Sequence, residues 1–337
     1  SILVGNDLST QLNVSGSLFP ENATDSIYWN QSGGIVNIGN SFSSSLTDKA
    51  MFDIPAANSI FKMSGGSIVL KRASSTSDDY RVHSILDSVS GGELVINAAN
   101  AGEVFTINSK SDLFTYKQLA TNNPLVTLTE NLQVLDDAMI SGTVGNALSF
   151  NGYELRIGGD LFDSVSVSGL NQGTSDIVFN GNNVQNIYSA TSINLNNVRV
   201  SKTNGNVNLN APMNISGKFK LVSNTLIDMQ SNNVTLKSGA DIYTDSLATI
   251  NSLASFSATK CFVNSGSGVD PLLGSRMIRE FSNSPTLPLT LNYPVGTPNV
   301  YTPAVVTINN ASFVGTPFVS IKPVPREHPA VEDTSRS

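Results

Sequence analysis

Apolar residues spaced two apart, in runs too short to bury a face on their own, constrain this chain most. From Asp176 they fall at Ile193 and Leu195, Val198 and Val200, Val207 and Leu209, Met213 and Ile215, Phe219 and Leu221, Leu226, and Val234 and Leu236. Two is the period at which strand side chains return to one face. Turn signals at Asn204-Gly205, Ser216-Gly217 and Ser238-Gly239 separate the runs. Strands this short must stack on neighbours that present the same apolar row.

The first part of the chain repeats another local design. Ser32-Gly33-Gly34, Ser64-Gly65-Gly66 and Ser90-Gly91-Gly92 each lead into an apolar strand ending Asn37-Ile38, Val69-Leu70 or Val95-Ile96. Paired glycines supply the positive φ of a sharp corner, and a spacing of roughly 30 residues is that of a repeat architecture. Two folds satisfy these patterns. One is a parallel β-helix with coils of about 20 to 25 residues; the other is a chain of antiparallel sandwiches. Irregular short strands, Asn-rich turns and the lack of obvious hairpin partners favour the β-helix. Asn at repeated corners fits as well, because stacked amides hydrogen-bond along a column and Asn tolerates left-handed backbone.

The expected fold is therefore all-β, an elongated parallel β-helix with a C-terminal β capping or sandwich-like segment. Coils with Gly-Gly corners are expected over 1–165 and regular coils over 166–264. A C-terminal β segment follows over 265–322, where Pro becomes frequent and Arg276–Phe281, Leu289–Gly296 and Ala304–Ile308 read as longer strands. Residues 323–337, Pro-rich, charged and aperiodic, read as a linker.

Composition narrows the function classes. Charged residues are 13% of the 337, and the net charge is −7. Asn alone is about a tenth of the chain, well above ordinary usage. Mild acidity without Lys/Arg clusters argues against nucleic acid and anionic membranes as partners. No apolar run is long enough for a membrane span. The single Cys261 cannot form an internal disulfide and reads as a buried small hydrophobe. No signal peptide opens the sequence, so it is read as a mature or excised fragment.

Candidate chemistry is sparse. The carboxylate pairs are Asp78-Asp79, in a Ser-rich turn expected to be solvated, and Asp136-Asp137, expected at a coil corner. Strand neighbours point to opposite faces, so neither pair makes a two-carboxylate site by itself. The Asp136-Asp137 corner is where calcium could be held weakly. His83 and His328 cannot build a zinc site, no Gly-x-Ser-x-Gly elbow supports a triad, and Gly158-Gly159 lacks the helix of a phosphate loop. Trp29, beside Tyr28, reads as core rather than as a sugar platform. No catalytic, cofactor-binding or metal-binding residues are expected, and the chain is read as non-enzymatic.

The run Ile177–Gly181, Ile193–Val198, Val207–Leu209 and Met213–Leu221 resembles the filament-type repeats of large surface proteins of Bacteroidota. Tyr293-Pro294-Val295-Gly296-Thr297 with Tyr301–Ala304 resembles the segment that follows such repeats. The resemblance covers residues 30–322. It implies export by the type IX secretion system, whose machinery would be a partner, and display at the bacterial cell surface in adhesion or gliding motility. The low-charge, Asn/Ser-rich exterior suits multivalent contact, with surface glycans or polysaccharides as expected partners. The sorting domain usual in such proteins is absent, which reads as a piece of a larger protein. The same phylum O-glycosylates Asp-Ser/Thr followed by a small or apolar residue, which makes Ser26, Ser88, Ser164 and Ser246 candidate O-glycosylation sites. The alternative is a β-helix carbohydrate-active enzyme, a polysaccharide lyase or hydrolase. It would need a cleft with convergent acids and a base near Asp136, Asp137 and Arg156.

Overall fold

The computed structural model describes residues 2–4, 10–39, 51–74, 78–244, 250–265, 274–310 and 312–324. Among them the chain is all-β and winds as a parallel β-solenoid of about 10 turns. Each regular coil carries three short strands on three faces. Leu125–Leu128, Leu132–Val134 and Ala138–Ile140 make one coil, and Leu148–Ser149, Leu155–Ile157 and Leu161–Asp163 the next. Tyr116 stands on Ala138 and Ala138 on Leu161, so these coils take about 22 or 23 residues.

One face is a 14-stranded sheet that runs through the whole stack, including Thr115–Gln118, Leu161–Asp163 and Gln185–Ser189. The second face is a 6-stranded sheet ending at Leu170–Asn171, beyond which Ile193–Leu195 opens a 5-stranded one. The third face stacks Leu132–Val134, Leu155–Ile157, Asp176–Phe179, Asn197–Val200, Lys218–Leu221 and Asp241–Tyr243 in one parallel sheet.

Parallel pairing in this register sets each inward residue on its counterpart one coil away. Val134, Ile157, Phe179, Val200 and Leu221 form one such column, and Leu132, Leu155, Ile177, Val198, Phe219 and Ile242 another. All are buried and belong to one continuous core. The period-two pairs of the sequence are these inward positions. Amide columns run along outward positions within the strands rather than along the corners where they are expected. Asn214 donates to the Asn194 side chain at 2.9 Å, Asn208 to Asn186 at 3.2 Å and Asn37 to Asn13 at 3.0 Å.

The three Ser-Gly-Gly segments lie in the middle of the 11-residue strands Tyr28–Ile38, Ile60–Leu70 and Leu86–Ile96, where the pairing register shifts. Gly34, Gly66 and Gly92 have φ of 68°, 81° and 90°. A Cβ on Gly66 would overlap the carbonyl oxygens of Gly33 and Gly34 one coil away. The strand thus bends from one face to another without ending. Trp29 is buried there, 5.0 Å and edge-on from the Phe52 ring, and Cys261 is buried farther along.

At the C-terminal end antiparallel pairing joins the parallel pattern. Met277–Glu280 and Val295–Thr297 still pair in parallel with the coil below. Phe318–Ile321 then adds to Met277–Glu280 antiparallel, and Leu289–Tyr293 pairs antiparallel with Ala304–Ile308. Arg279 occupies the inward position above Leu236. Its guanidinium donates to Asn292 O at 3.1 Å and to the Asn251 side chain at 2.8 Å, closing the apolar column with a polar plug. The segment expected as linker lies outside the described residues from 325 onward.

Removing a ring from the middle of a column leaves a hole that neighbouring coils cannot fill, because their backbones are fixed by pairing. Phe179→Ala should cost about 3–5 kcal/mol, whereas Asn214→Ala, at a solvent-facing amide, should cost about 1 kcal/mol or less. Equilibrium denaturant unfolding of the two variants would reveal the contrast.

Candidate functional site: a polar cleft across four coils

Where the third face turns into the long sheet, the corners differ in length. From Val134 the chain crosses Leu135, Asp136 and Asp137; from Ile157 it crosses Gly158, Gly159 and Asp160; from Phe179 it crosses the longer Asn180–Val184. The middle corner is recessed. A Cβ on Gly158 would overlap the Leu135 carbonyl oxygen, and one on Gly159 would overlap the backbone of Asp136. Close stacking excludes side chains there, while the longer corner beyond projects outward as a wall. The result is a cleft of about 800 Å³ bounded at its other end by Ser109–Asp112.

Asp112, Asp136, Asp137, Asp160, Lys110 and Arg156 all line it, with the amides of Asn131, Gln133, Asn180, Asn182 and Asn183 between them. The expectation that Asp136 and Asp137 mark a corner is met. Because they sit at a corner rather than in a strand, both reach the same cleft, and alternation does not separate them. Asp137 accepts the Asp160 N–H at 2.7 Å. Asp160 in turn accepts the Asn186 N–H at 2.7 Å and the Asn186 side-chain amide at 3.1 Å. Burial, and then repulsion from Asp136 and Asp160, raises the Asp137 carboxyl above its ordinary range, against the hydrogen bond from Asp160 and the charge of Lys117. Burial and the nearby Asp87 raise Asp112. Arg156 is half in solvent and is held by Glu154, which also pairs with Arg199.

The projecting wall is fastened from behind. Lys202 is buried, and its ammonium donates to Asn183 O at 2.7 Å, Gln185 Oε1 at 2.7 Å and Gly181 O at 3.1 Å. Gln185 also donates to Ile157 O at 2.9 Å and Gly159 O at 2.5 Å, tying the wall to the recessed corner. Burial draws the Lys202 ammonium down to about 8, with Asp160 pulling the other way. On the front side Asn180 donates to Gln133 at 2.8 Å, across the level occupied by the glycines.

The other carboxylate pair departs from expectation. Asp79 is 1% exposed rather than solvated. Its carboxylate accepts from the Ser74 N–H and, at 2.7 Å, from the Thr106 N–H. Burial outweighs these bonds and pushes its carboxyl up to about 7. Asp78 accepts from Asn108 at 2.7 Å, and Asn108 meets His83 Nε2 at 2.7 Å. This network ties coils together and lies outside the cleft. Among the described residues no three His, Cys, Asp or Glu side chains converge on a common metal position. Of the serines expected to carry glycans, Ser26, Ser88 and Ser164 are exposed, and Ser246 lies outside the described residues.

Sequence reading placed Asp136, Asp137 and Arg156 but missed Asp160, Asp112 and the Asn180–Val184 wall. The signal for Asp160 was its offset of one coil from Asp137. No family model, curated protein or solved structure matches the chain.

Two outcomes follow from the buried charges. Asp79 is protonated in the fold but ionised in the unfolded chain between about pH 4 and 7. Its contribution to stability is therefore complete below that window and lost as pH rises through about 7. Thermal midpoints measured at pH 5 and pH 8 should differ in that sense, and by less in Asp79→Asn. Lys202→Met should leave the Gly181 and Asn183 carbonyls without their ammonium donor, and hydrogen exchange at the Gly181 and Gln185 amides, bonded to Gln185 Oε1 and Asn206 O, should accelerate at least about tenfold, the effect of a local loss of about 1.4 kcal/mol.

Proposed function

We propose that this chain is an extracellular structural and adhesive module of a large bacterial surface protein, exported by type IX secretion and used in attachment or gliding through contact with surface glycans. The observation that carries this reading is the combination of a coil stack of about 10 turns with amides along its outward positions and a broad polar cleft. A solenoid whose pairing passes from coil to coil extends far at low charge. Neutral hydrogen-bonding groups repeated along it suit many weak, simultaneous contacts with hydroxyl-rich surfaces. The β-helix coils are consistent with the filament-type repeats that the sequence resembles. Ser26, Ser88 and Ser164, all exposed, remain the proposed O-glycosylation positions.

A second reading, a polysaccharide lyase or hydrolase, is favoured by one specific arrangement. Asp136, Asp137 and Asp160 share the cleft with Arg156 and Lys110, and Asp137 holds its proton more tightly than an ordinary carboxylate. That is the equipment of proton-transfer chemistry on a glycoside.

Incubation with a polysaccharide panel decides between them. The adhesive reading expects retention on polysaccharide-coated surfaces, with no new reducing ends and no unsaturated products. Turnover that disappears in Asp137→Asn would assign the enzymatic reading instead, and absence of both retention and turnover would remove both.

A further inference from the structure

Beside the cleft, the long sheet carries a second outward feature. Register places Lys117, Met139, Phe162 and Tyr188 in one column, each on the next coil. The Phe162 and Tyr188 rings are stacked, with centroids 4.8 Å apart and planes within 8°. Tyr188 is 37% exposed. The neighbouring column on the same outward face is Asp137, Asp160, Asn186 and Asn208, linked by the hydrogen bonds described above. Asp160 and Phe162 are two residues apart, as are Asn186 and Tyr188, so a polar rail runs alongside an aromatic one.

We propose that the cleft and this paired rail form one binding track for an extended glycan chain of neutral or amino sugars, lying along the axis of the coil stack. The inference rests on the glycan-contact reading and specifies its site and ligand class. Direction comes from shape: the cleft crosses four successive coils, a run of about 14 Å at the spacing of paired strands. Ligand class comes from the surface chemistry. A pyranose ring has an apolar face and a rim of hydroxyls, and the track offers an aromatic flank beside carboxylate and amide acceptors. Charge then discriminates among glycans. Asp112, Asp136, Asp137 and Asp160 face Lys110 and an Arg156 already held by Glu154. A polyuronate would bring like charge to this cleft, whereas an uncharged or ammonium-bearing chain would not.

Calorimetric titration of the whole chain with cellohexaose, chitohexaose, a chitosan hexamer and hexagalacturonate, at about 0.15 M salt, tests this. The first three are expected to bind and hexagalacturonate is not. Tyr188→Ala should weaken cellohexaose binding about three- to tenfold, the worth of one edge-on aromatic contact, while Tyr188→Phe retains it. Asp136→Asn should weaken the chitosan hexamer more than cellohexaose. Circular dichroism on each variant establishes that the coils persist. Binding of hexagalacturonate as tight as that of cellohexaose, no binding of any hexamer, or a folded Tyr188→Ala that binds like the parent would each overturn the track. If the Phe162→Ala/Tyr188→Ala variant still adheres to polysaccharide-coated surfaces, the track is wrong but the adhesive function stands. Failure of the parent chain to adhere overturns that function as well.

Discussion

Everything in this molecule depends on parallel backbone pairing between one coil and the next. Hydrogen bonds of this kind satisfy the main chain and also force like positions onto like positions, strand after strand. A side chain therefore has the same neighbour type above and below it, and columns rather than layers become the unit of packing. Val134 to Leu221 is such a column inside, and the Asp137–Asp160–Asn186–Asn208 row is one outside. Backbone approach at corners is set by the same pairing, and at Gly158 and Gly159 it leaves no room for a Cβ.

That close approach explains how the polar cleft arises. Gly158 and Gly159 carry no side chain because the corner below leaves no room for one. The next corner is longer and must go outward. Its buried polar partners, Gln185 and Lys202, are the means by which the projecting segment is tied to the core without an apolar residue. Gln118 plays a comparable part elsewhere, donating to Pro124 O at 2.7 Å and Ala147 O at 3.0 Å. Arg279 does so where the apolar column meets the antiparallel end. Gln185, Lys202, Gln118 and Arg279 thus sit inside the stack where regular coiling is interrupted, each donating to carbonyl or amide oxygens.

The fold was legible because its determinants are local. Pairs such as Ile193 and Leu195 give the inward positions directly, Ser-Gly-Gly gives the bends, and left-handed Asn residues such as Asn123 and Asn151 mark turns, whereas the amide columns stand within strands. The site was only half legible. Asp136, Asp137 and Arg156 could be picked out as the acids and base that a cleft would need, but their convergence depends on coil length. Asp160 joins them from one coil farther on, and the Asn180–Val184 wall from two. Asp79 failed for the same reason: its turn composition suggests solvent, and its burial is decided by Thr106, 27 residues later. The C-terminal strands were legible as apolar runs, yet Leu289–Gly296 divides at Pro294 into Leu289–Tyr293 and Val295–Thr297 on different sheets, and nothing local told which would pair antiparallel.

The amide columns on the exterior have a further consequence, for the conditions under which such a rod keeps its form. Ionic contacts on a protein surface weaken as dissolved salt shortens the reach of charge, to about 8 Å at physiological strength and about 3 Å at 1 M. Side-chain amides bonded to one another carry no net charge to screen. Asn214 on Asn194, Asn208 on Asn186 and Asn37 on Asn13 hold neighbouring coils by contacts indifferent to the surrounding electrolyte. Those amide contacts hold alike in dilute fresh water and in brine, whereas the coil-to-coil ion pairs Arg81–Asp53, Lys117–Glu93 and Arg199–Glu154 weaken as salt rises.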